Sequence, residues 1–536
     1  MAKKAAVKNQ KSIEESLWES ANKLRGKVES SEYKHVVLGL IFLKFASDKF
    51  EKRKQELIAD GKEKYLEMKE FYNMQNVFFL SEEARWSYIM ENAKQDDIAL
   101  KIDSALHNVE RNNPSLKGAL PDNYFSRLGM DAAKLSALLD TVNNIDTLLD
   151  EKEDVIGRIY EYFLGKFASA EGKGGGEFYT PKSIVNLIAE MLEPYKGKIY
   201  DPCCGSGGMF VQSIKFVESH HGDKKDISVY GQEYTATTYK LAKMNLAIRG
   251  ISANLGDVPA DTFFNDQHPD LKADYIMANP PFNQSAWRDK NELTDDARWK
   301  GYEVPPVGNA NYAWIMHMLS KLSENGTAGF VLANGSMSSN TSGEGELRKS
   351  MIENDLVDCM IALPGQLFYT TQIPVCLWFM CKNKKADTKG GFRDRSGETL
   401  FIDAREMGTM IDRVHKELTT DDIQKIADTY HVWRSTPEAI KDRHSNPDRH
   451  SEFTKESLGY EDIPGYCKSA TLKEIAKNDY VLTPGRYVGM ADVVDDGVPF
   501  EEKMESLSKQ LFQQMEEGEK LDVAIRENLK MLGYHE

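Results

Sequence analysis

Apolar positions recur at helical spacing through the first 150 residues, then change near residue 198 to short runs of the kind found in buried strands. Ser12-x-x-Glu15 is a capping box, and Ile13, Leu17, Ala21 and Leu24 follow on one helical face. Tyr33 to Leu57 predicts a second helix with a broad apolar face (Val36, Val37, Leu40, Ile41, Phe45) and a charged end. Residues 1–150 therefore read as an all-α domain, to which the pattern assigns no role beyond packing. Asp154 to Phe167 predicts another amphipathic helix. It runs into Glu171-Gly-Lys-Gly-Gly-Gly-Glu-Phe-Tyr-Thr-Pro181, a mobile or tightly turned loop. A helix is predicted from Pro181 to Leu192, with proline in its first turn.

Beyond residue 198 strands and helices alternate. Lys198–Tyr200, Ile227–Tyr230, Tyr275–Ala278, Ala328–Leu332, Leu356–Ala362 and Val375–Met380 predict strands; Tyr239–Ile248, Tyr312–Leu319 and Leu347–Asn354 predict helices. This alternation predicts an α/β domain over residues 151–470, a mostly parallel, doubly wound sheet covered on both faces. Ligands of such sheets bind outside the carboxyl ends of the strands. The stretch 384–470 is polar, and Asp442 to His450 reads as a solvated loop, a nucleic-acid contact being the alternative. In the C-terminal segment, 471–536, Met504, Leu507, Leu511 and Met515, then Leu521, Ile525, Leu529 and Leu532, form near-heptad stripes, with Gly518 placed to kink or split the helix. The stripe packs back onto its own chain or against a subunit.

Composition narrows the picture. A chain of 536 residues holds roughly three domains. Its net charge of −16 argues against coating nucleic acid unaided, although a local basic channel remains compatible with it. Six cysteines without a CxxC pair or zinc spacing predict a reducing compartment and no structural metal. The first residues lack an apolar signal core, and runs such as Ile373–Cys381 are about half the ~20 residues that span a bilayer. A cytoplasmic protein without membrane contact is expected.

The chemistry gathers at strand ends. The first strand ends in Asp201-Pro-Cys-Cys-Gly205-Ser206-Gly207-Gly208, a turn that lets the backbone approach a ligand. It is neither the G-x-G-x-x-G pattern nor a P-loop. Glu233 ends the second strand, 32 positions after Asp201, where an acid accepts both hydroxyls of a ribose or, alternatively, caps the next helix. A ribose acceptor without a pyrophosphate cradle fits S-adenosyl-L-methionine, with Gly205–Gly208 and the Glu177–Pro181 loop taking its cationic amino-acid end. Asp257 and Asp261 follow the expected third strand; Asp261 is favoured as acceptor for the cofactor's adenine amino group, a solvated loop acid being the alternative. Asn279-Pro280-Pro281-Phe282 follows a strand 78 residues after Asp201, which makes that strand the fourth, next to the first. This tetrapeptide suits methylation of a planar amino nitrogen. The side-chain oxygen of Asn279 and the main-chain oxygen of Pro280 can accept its two N–H bonds and free its lone pair; the prolines stiffen the turn, and Phe282 can stack on the substrate. A proline-rich turn capping a strand is the plain alternative.

Together these residues resemble the methylation subunit of type I restriction–modification systems. Gly176-Glu-Phe-Tyr-Thr-Pro181, the glycine turn and Asn279-Pro-Pro-Phe282 stand in that family's order. Ala328–Gly335, Leu363–Phe368, Thr371–Pro374 and Tyr480–Gly489 also look like it. Cys203-Cys204 departs from the small residues more usual there. The resemblance implies a Rossmann-like class I methyltransferase sheet and transfer of a methyl group from S-adenosyl-L-methionine to N6 of an adenine extruded from double-stranded DNA. It also implies a DNA-specificity subunit, a restriction (translocase/nuclease) subunit and a second copy of the chain as partners. Asn279, Pro280, Pro281 and Phe282 are the expected catalytic residues. Glu177, Phe178, Tyr179, Thr180, Pro181, Lys182, Asp201, Gly205, Ser206, Gly207, Gly208, Glu233 and Asp261 are the expected cofactor-binding residues. The rival readings are a glutamine-amide protein methyltransferase, an N4-cytosine DNA methyltransferase and a catalytically silent scaffold.

Overall fold

The structure, a computed structural model, describes residues 18–19, 30–145, 147, 162–163, 180–368, 373–387, 390–440, 459–490 and 500–531. The Ser12–Glu15 capping box, most of the predicted Asp154–Phe167 helix, Glu177, Phe178, Tyr179 and the Asp442–His450 loop lie outside them. The chain forms two compact units, Met1–Gly489 and Met490–Glu536.

The first unit opens with helices. Among the described residues before the sheet, the longest are α1 (Ser30–Ala59), α2 (Ile98–Asn112) and α3 (Ala132–Asn143). Phe42, Leu106 and Leu139 close a core of their own, which Leu241, Met244 and Ile248 of a later helix join. That shared core seats the helical region against the sheet domain.

A nine-stranded sheet follows, built from β1 (Gly197–Asp201), β2 (Ile227–Gly231), β3 (Ala253–Asn254), β4 (Ala273–Ala278), β5 (Leu322–Ala333), β6 (Val357–Ala362), β7 (Val375–Cys381), β8 (Glu398–Asp403) and a late strand, Cys467–Thr471. The short strands β9 (Thr409–Met410) and β10 (Lys416–Glu417) pair separately, so the late strand is β11. The order across the sheet is β11-β8-β6-β7-β5-β4-β1-β2-β3. β1 runs parallel to both β2 and β4, so the order reverses at β1/β4, the switch point at which doubly wound sheets bind ligands. β6 and β7 are buried along their whole length, which explains the unbroken apolar run of β7 and leaves Asp358 as the one charged residue of β6.

Helices α4 (Lys182–Leu192), α5 (Gly208–Ser219) and α9 (Thr420–Arg434) contribute to the core on one face, through residues such as Leu187, Phe210 and Trp433. α7 (Asn311–Lys321) and α8 (Glu344–Glu353) fill the other through Ile315 and Met351, and α6 (Ala236–Ile248) carries the contact to the helical region.

Some elements differ from the sequence reading. β7 runs antiparallel to both neighbours. The polar stretch after residue 384 contains β8, α9 and β11, and β11 crosses position 470, at which the sequence boundary was drawn. Its polarity misleads because charges there are buried in pairs. Asp358, fully buried on β6, accepts from Arg395 Nε at 3.2 Å and from the Tyr430 hydroxyl at 2.6 Å. Lys384 Nζ reaches Asp355 at 2.7 Å. The second unit holds α10 (Phe500–Met531), which continues unbroken through Gly518 and exposes Leu507, Leu511 and Met515. Among the described residues, no helix is long and apolar enough to cross a membrane.

Candidate active site

The strand ends of β1, β2 and β4 build the site. Past their paired residues β1 and β2 stay stitched together: Gln232 N donates to Asp201 O at 3.0 Å and Cys204 N to Gln232 O at 2.9 Å. The Asp201 carboxylate folds back on its own turn and accepts from Cys203 N at 3.0 Å. Burial pushes its carboxyl up to about 7 against the hydrogen bonds from Cys203, and the charge of Glu233 acts in the same direction as burial. Both cysteine thiols are pushed well up by burial and stay protonated, as befits packing residues.

Gly205 (φ +53°) and Gly207 (φ +80°) take left-handed backbone, which is why the turn needs glycine there. A Cβ at Gly205 or Gly208 would meet nothing within 4 Å, so the turn faces open space a ligand can fill. Ser206 O is tied to α6 by Asn245 Nδ2 at 2.7 Å. Glu233 is buried and joins the two strand ends. One carboxylate oxygen accepts from Gly205 N at 3.1 Å and the other from Thr235 N at 2.7 Å. A carboxylate offers about four lone-pair sites, so capping and ribose binding are compatible roles.

Asn279 stands one residue past β4. The parallel β1/β4 pair aligns Tyr200 with Ile276, so Asn279 and the Asp201–Gly208 turn both follow the carboxyl ends of neighbouring strands. Asn279 Nδ2 donates to Thr180 Oγ1 at 2.9 Å, and Oδ1 is buried on the other side of the carboxamide. Thr180 and Pro181 lead directly into α4, with Pro181 at its N-cap and Lys182 exposed in its first turn. Pro280 is buried, and Pro281 and Phe282 are half-buried. The Phe282 ring meets Phe368 edge-on, with centroids 5.7 Å apart. Phe368 was noted in the sequence only as part of a family-like stretch; an aromatic residue just beyond a strand was its only signal.

The chain after Phe282 is braced. Asn283 and Asn311 exchange hydrogen bonds at 3.0 and 2.9 Å, and Ala310 N donates to Gln284 O at 2.9 Å. Arg298 pairs with Asp296 and donates to Thr262 O at 3.1 Å and Phe263 O at 2.6 Å. It thereby joins the segment behind Asn279 to the loop carrying Asp261. Beneath it His317 is driven down to about 3 by burial and by Arg298, so it stays neutral. Asp261 is half-buried and accepts from Phe263 N at 2.7 Å, capping its own turn. Gln232, which the sequence did not single out, is fully buried and donates to Ala260 O at 3.1 Å and Asn265 O at 2.9 Å, fixing the same loop beside Glu233.

This arrangement places a proline turn and a glycine turn at the ends of two adjacent strands at one switch point. The profile described as N-6 DNA Methylase matches residues 151–496, and that of the HsdM N-terminal domain matches residues 13–144. The chain belongs to the N-6 DNA methylase family. It is the methylase subunit of a type I restriction–modification system, an N6-adenine DNA methyltransferase. N6 DNA methylation sets aside the glutamine-amide and N4-cytosine alternatives. The Type I restriction enzyme HindI methylase subunit of Haemophilus influenzae is 47% identical, over 84% of this chain and 99% of its own length. The Type I restriction enzyme MjaIX methylase subunit of Methanocaldococcus jannaschii is 40% identical, over 97% and 92%. Among solved structures, the type I restriction–modification methyltransferase subunit from Streptococcus thermophilus superposes with a TM-score of 0.70 at 23% identity, over 89% of this chain and 99% of that one, which supports the fold.

Proposed function

We propose that this methylase subunit binds S-adenosyl-L-methionine at the carboxyl ends of β1 and β2 and methylates an adenine extruded from duplex DNA and seated on Asn279-Pro-Pro-Phe282. The observation that carries the reading is the hydrogen bond from Asn279 to Thr180, made one strand away from the Gly205–Glu233 contact. The open space over Gly205 and Gly208 and the carboxylate of Glu233 fit a nucleoside with a cationic tail. When bound, this cofactor supplies an electrophilic methyl group.

The chain's own residues do the rest. Glu233 accepts the ribose hydroxyls, and Asp201 and the Gly205–Gly208 turn hold the amino-acid end. Asp261 is the proposed adenine acceptor. Pro181 and Lys182 extend the cofactor wall at the start of α4, and Glu177, Phe178 and Tyr179, which lie outside the described residues, are assigned to the cofactor by their sequence motif alone. Thr180 fixes the Asn279 carboxamide so that Oδ1 points to the substrate. Oδ1 and Pro280 O accept the two N6 hydrogens, which draws the nitrogen away from planarity and exposes its lone pair. Phe282 stacks on the base. Alignment of this kind contributes about 7–11 kcal/mol to such reactions.

A DNA-specificity subunit chooses the site, and a restriction subunit and a second copy of this chain complete the assembly. The exposed apolar side chains of α10 provide a surface for such a contact. A cytoplasmic location follows from the substrate. Copurification with the products of neighbouring genes, followed by tritiated-methyl transfer to DNA with and without the DNA-reading partner, tests the reading. Label on adenine N6 that depends on the partner supports it, and label on cytosine or on protein overturns it.

A further inference from the structure

A short β-hairpin stands at the rim of the site without a role in the chemistry above. β9 and β10 pair antiparallel, and Ile411 N donates to His415 O at 2.9 Å. Asp412 closes the turn: its carboxylate accepts from the amides of Val414 and His415, both at 2.8 Å, and from the His415 ring at 2.6 Å. The tip is therefore a built turn. Three of its side chains are large, apolar and in solvent: Met410 is 48% exposed, Ile411 49% and Val414 44%. Arg413 between them is exposed as well.

The base of the hairpin is fixed to the sheet domain. Leu418 is buried in the core, Gly408 N donates to Asp422 Oδ2 at 3.1 Å, and Lys416 N donates to Gln366 O at 2.9 Å. Gln366 lies two residues before Phe368, whose ring meets Phe282. Two residues of chain span at most about 7 Å, so the hairpin is anchored beside the aromatic wall of the Asn279 site.

We propose that the hairpin Thr409–Glu417 is a DNA wedge that enters the base stack while the target adenine is held outside it. This rests on the reading that the Asn279 site takes an extruded base. A base seated there has left a duplex lying against the carboxyl ends of the strands, where the hairpin stands. Its departure leaves a gap between two flat apolar base faces. Apolar wedges fill such gaps in proteins that unstack DNA. Ile411, Val414 and Met410 supply that surface, and Arg413 supplies a positive charge for the adjoining phosphates.

The test uses the complex with its DNA-reading partner and the triple variant Met410→Ser, Ile411→Ser, Val414→Ser, with Ile411→Ser alone as the milder second variant. Single-turnover methylation is compared on a duplex with a normal A·T target and on one whose target adenine faces an abasic site, where no base pair has to be broken and extrusion costs less. The wedge predicts a loss of about tenfold or more on the first duplex and recovery to within about twofold of wild type on the second, with weaker 2-aminopurine fluorescence at the target position. Wild-type rates on both duplexes, or an equal loss on both, overturn the proposal. So does failure of the variants to copurify with the partner while 2-aminopurine exposure is unchanged, which would make the hairpin a subunit contact. The wild-type complex separates the two ideas: no N6-methyladenine from it sinks the underlying reading, whereas wild-type activity with an indifferent hairpin sinks only the wedge.

Discussion

Thr180 Oγ1 accepts a hydrogen bond from Asn279 Nδ2 at 2.9 Å across 99 residues of sequence. On the proposed reading it sets which end of the carboxamide faces the substrate. An amide that rotated freely would present its NH2 group to a substrate N–H bond half the time, donor against donor. Thr180→Val should therefore lower kcat about tenfold, the effect of losing one hydrogen bond of about 1.4 kcal/mol, with cofactor affinity nearly unchanged. Thr180→Ser keeps the hydroxyl and should restore most of the rate. Steady-state methylation alongside calorimetric titration of the cofactor checks the split.

Glu233 bridges Gly205 N and Thr235 N and so organises the glycine turn; on the proposed reading it also accepts the ribose hydroxyls. Glu233→Gln leaves one acceptor oxygen and no charge. Cofactor affinity should fall by about 10- to 100-fold, as expected for losing about 1.5–3 kcal/mol of charge-assisted hydrogen bonding, while kcat at saturating cofactor changes little. Unchanged affinity by calorimetry counts against the assigned role.

Asp201 gives the site a pH dependence. Burial raises its carboxyl to about 7 in the ligand-free protein. Below that pH the group is neutral, and above it the carboxylate attracts a cationic ligand. Cofactor binding should therefore weaken as pH falls from 8 to 6 and be accompanied by proton release at the lower end. The stability sign runs the other way: a carboxyl raised on folding favours the folded state at low pH and withdraws that contribution as pH rises through about 7. Asp201→Asn should flatten the binding profile across this window, which calorimetry in buffers of different ionisation enthalpy reads directly.

Asp358 tests the buried ion pairs under the far half of the sheet. Burial pushes its carboxyl up, but Arg395 and Lys384 together with the Tyr430 hydroxyl hold it below the usual carboxylate range. Asp358→Ala strands the Arg395 guanidinium in the core and should cost about 3–5 kcal/mol of stability. A lower thermal midpoint, without a selective loss of cofactor affinity in the folded protein at low temperature, is the expected result.

The strands that build the site were legible because their short apolar runs end, at largely buried carboxyl ends, in glycine, acid or Asn-Pro-Pro. Asp201, Glu233 and Asn279 could be set on strand ends, and Asn279 on the strand beside β1, from spacing alone. What escaped was set by distant contacts. β8, α9 and β11 hide in a polar stretch because Asp358, Lys384 and Arg395 satisfy one another inside the fold. The antiparallel sense of β7 follows from a connection that local pattern does not encode. Thr180 reads in the sequence as a cofactor residue, and its bond to Asn279 depends on the whole sheet being assembled. Gly518 gave a false break, because one exposed glycine does not stop a helix as long as α10.

In the proposed mechanism Asn279 activates the nitrogen of an adenine beside an independently formed cofactor site. Asn279→Ala, assembled with its DNA-reading partner, should bind S-adenosyl-L-methionine by calorimetry as the wild type does and transfer no tritiated methyl group to adenine N6. Methyl transfer at the wild-type rate by this variant would contradict the claim.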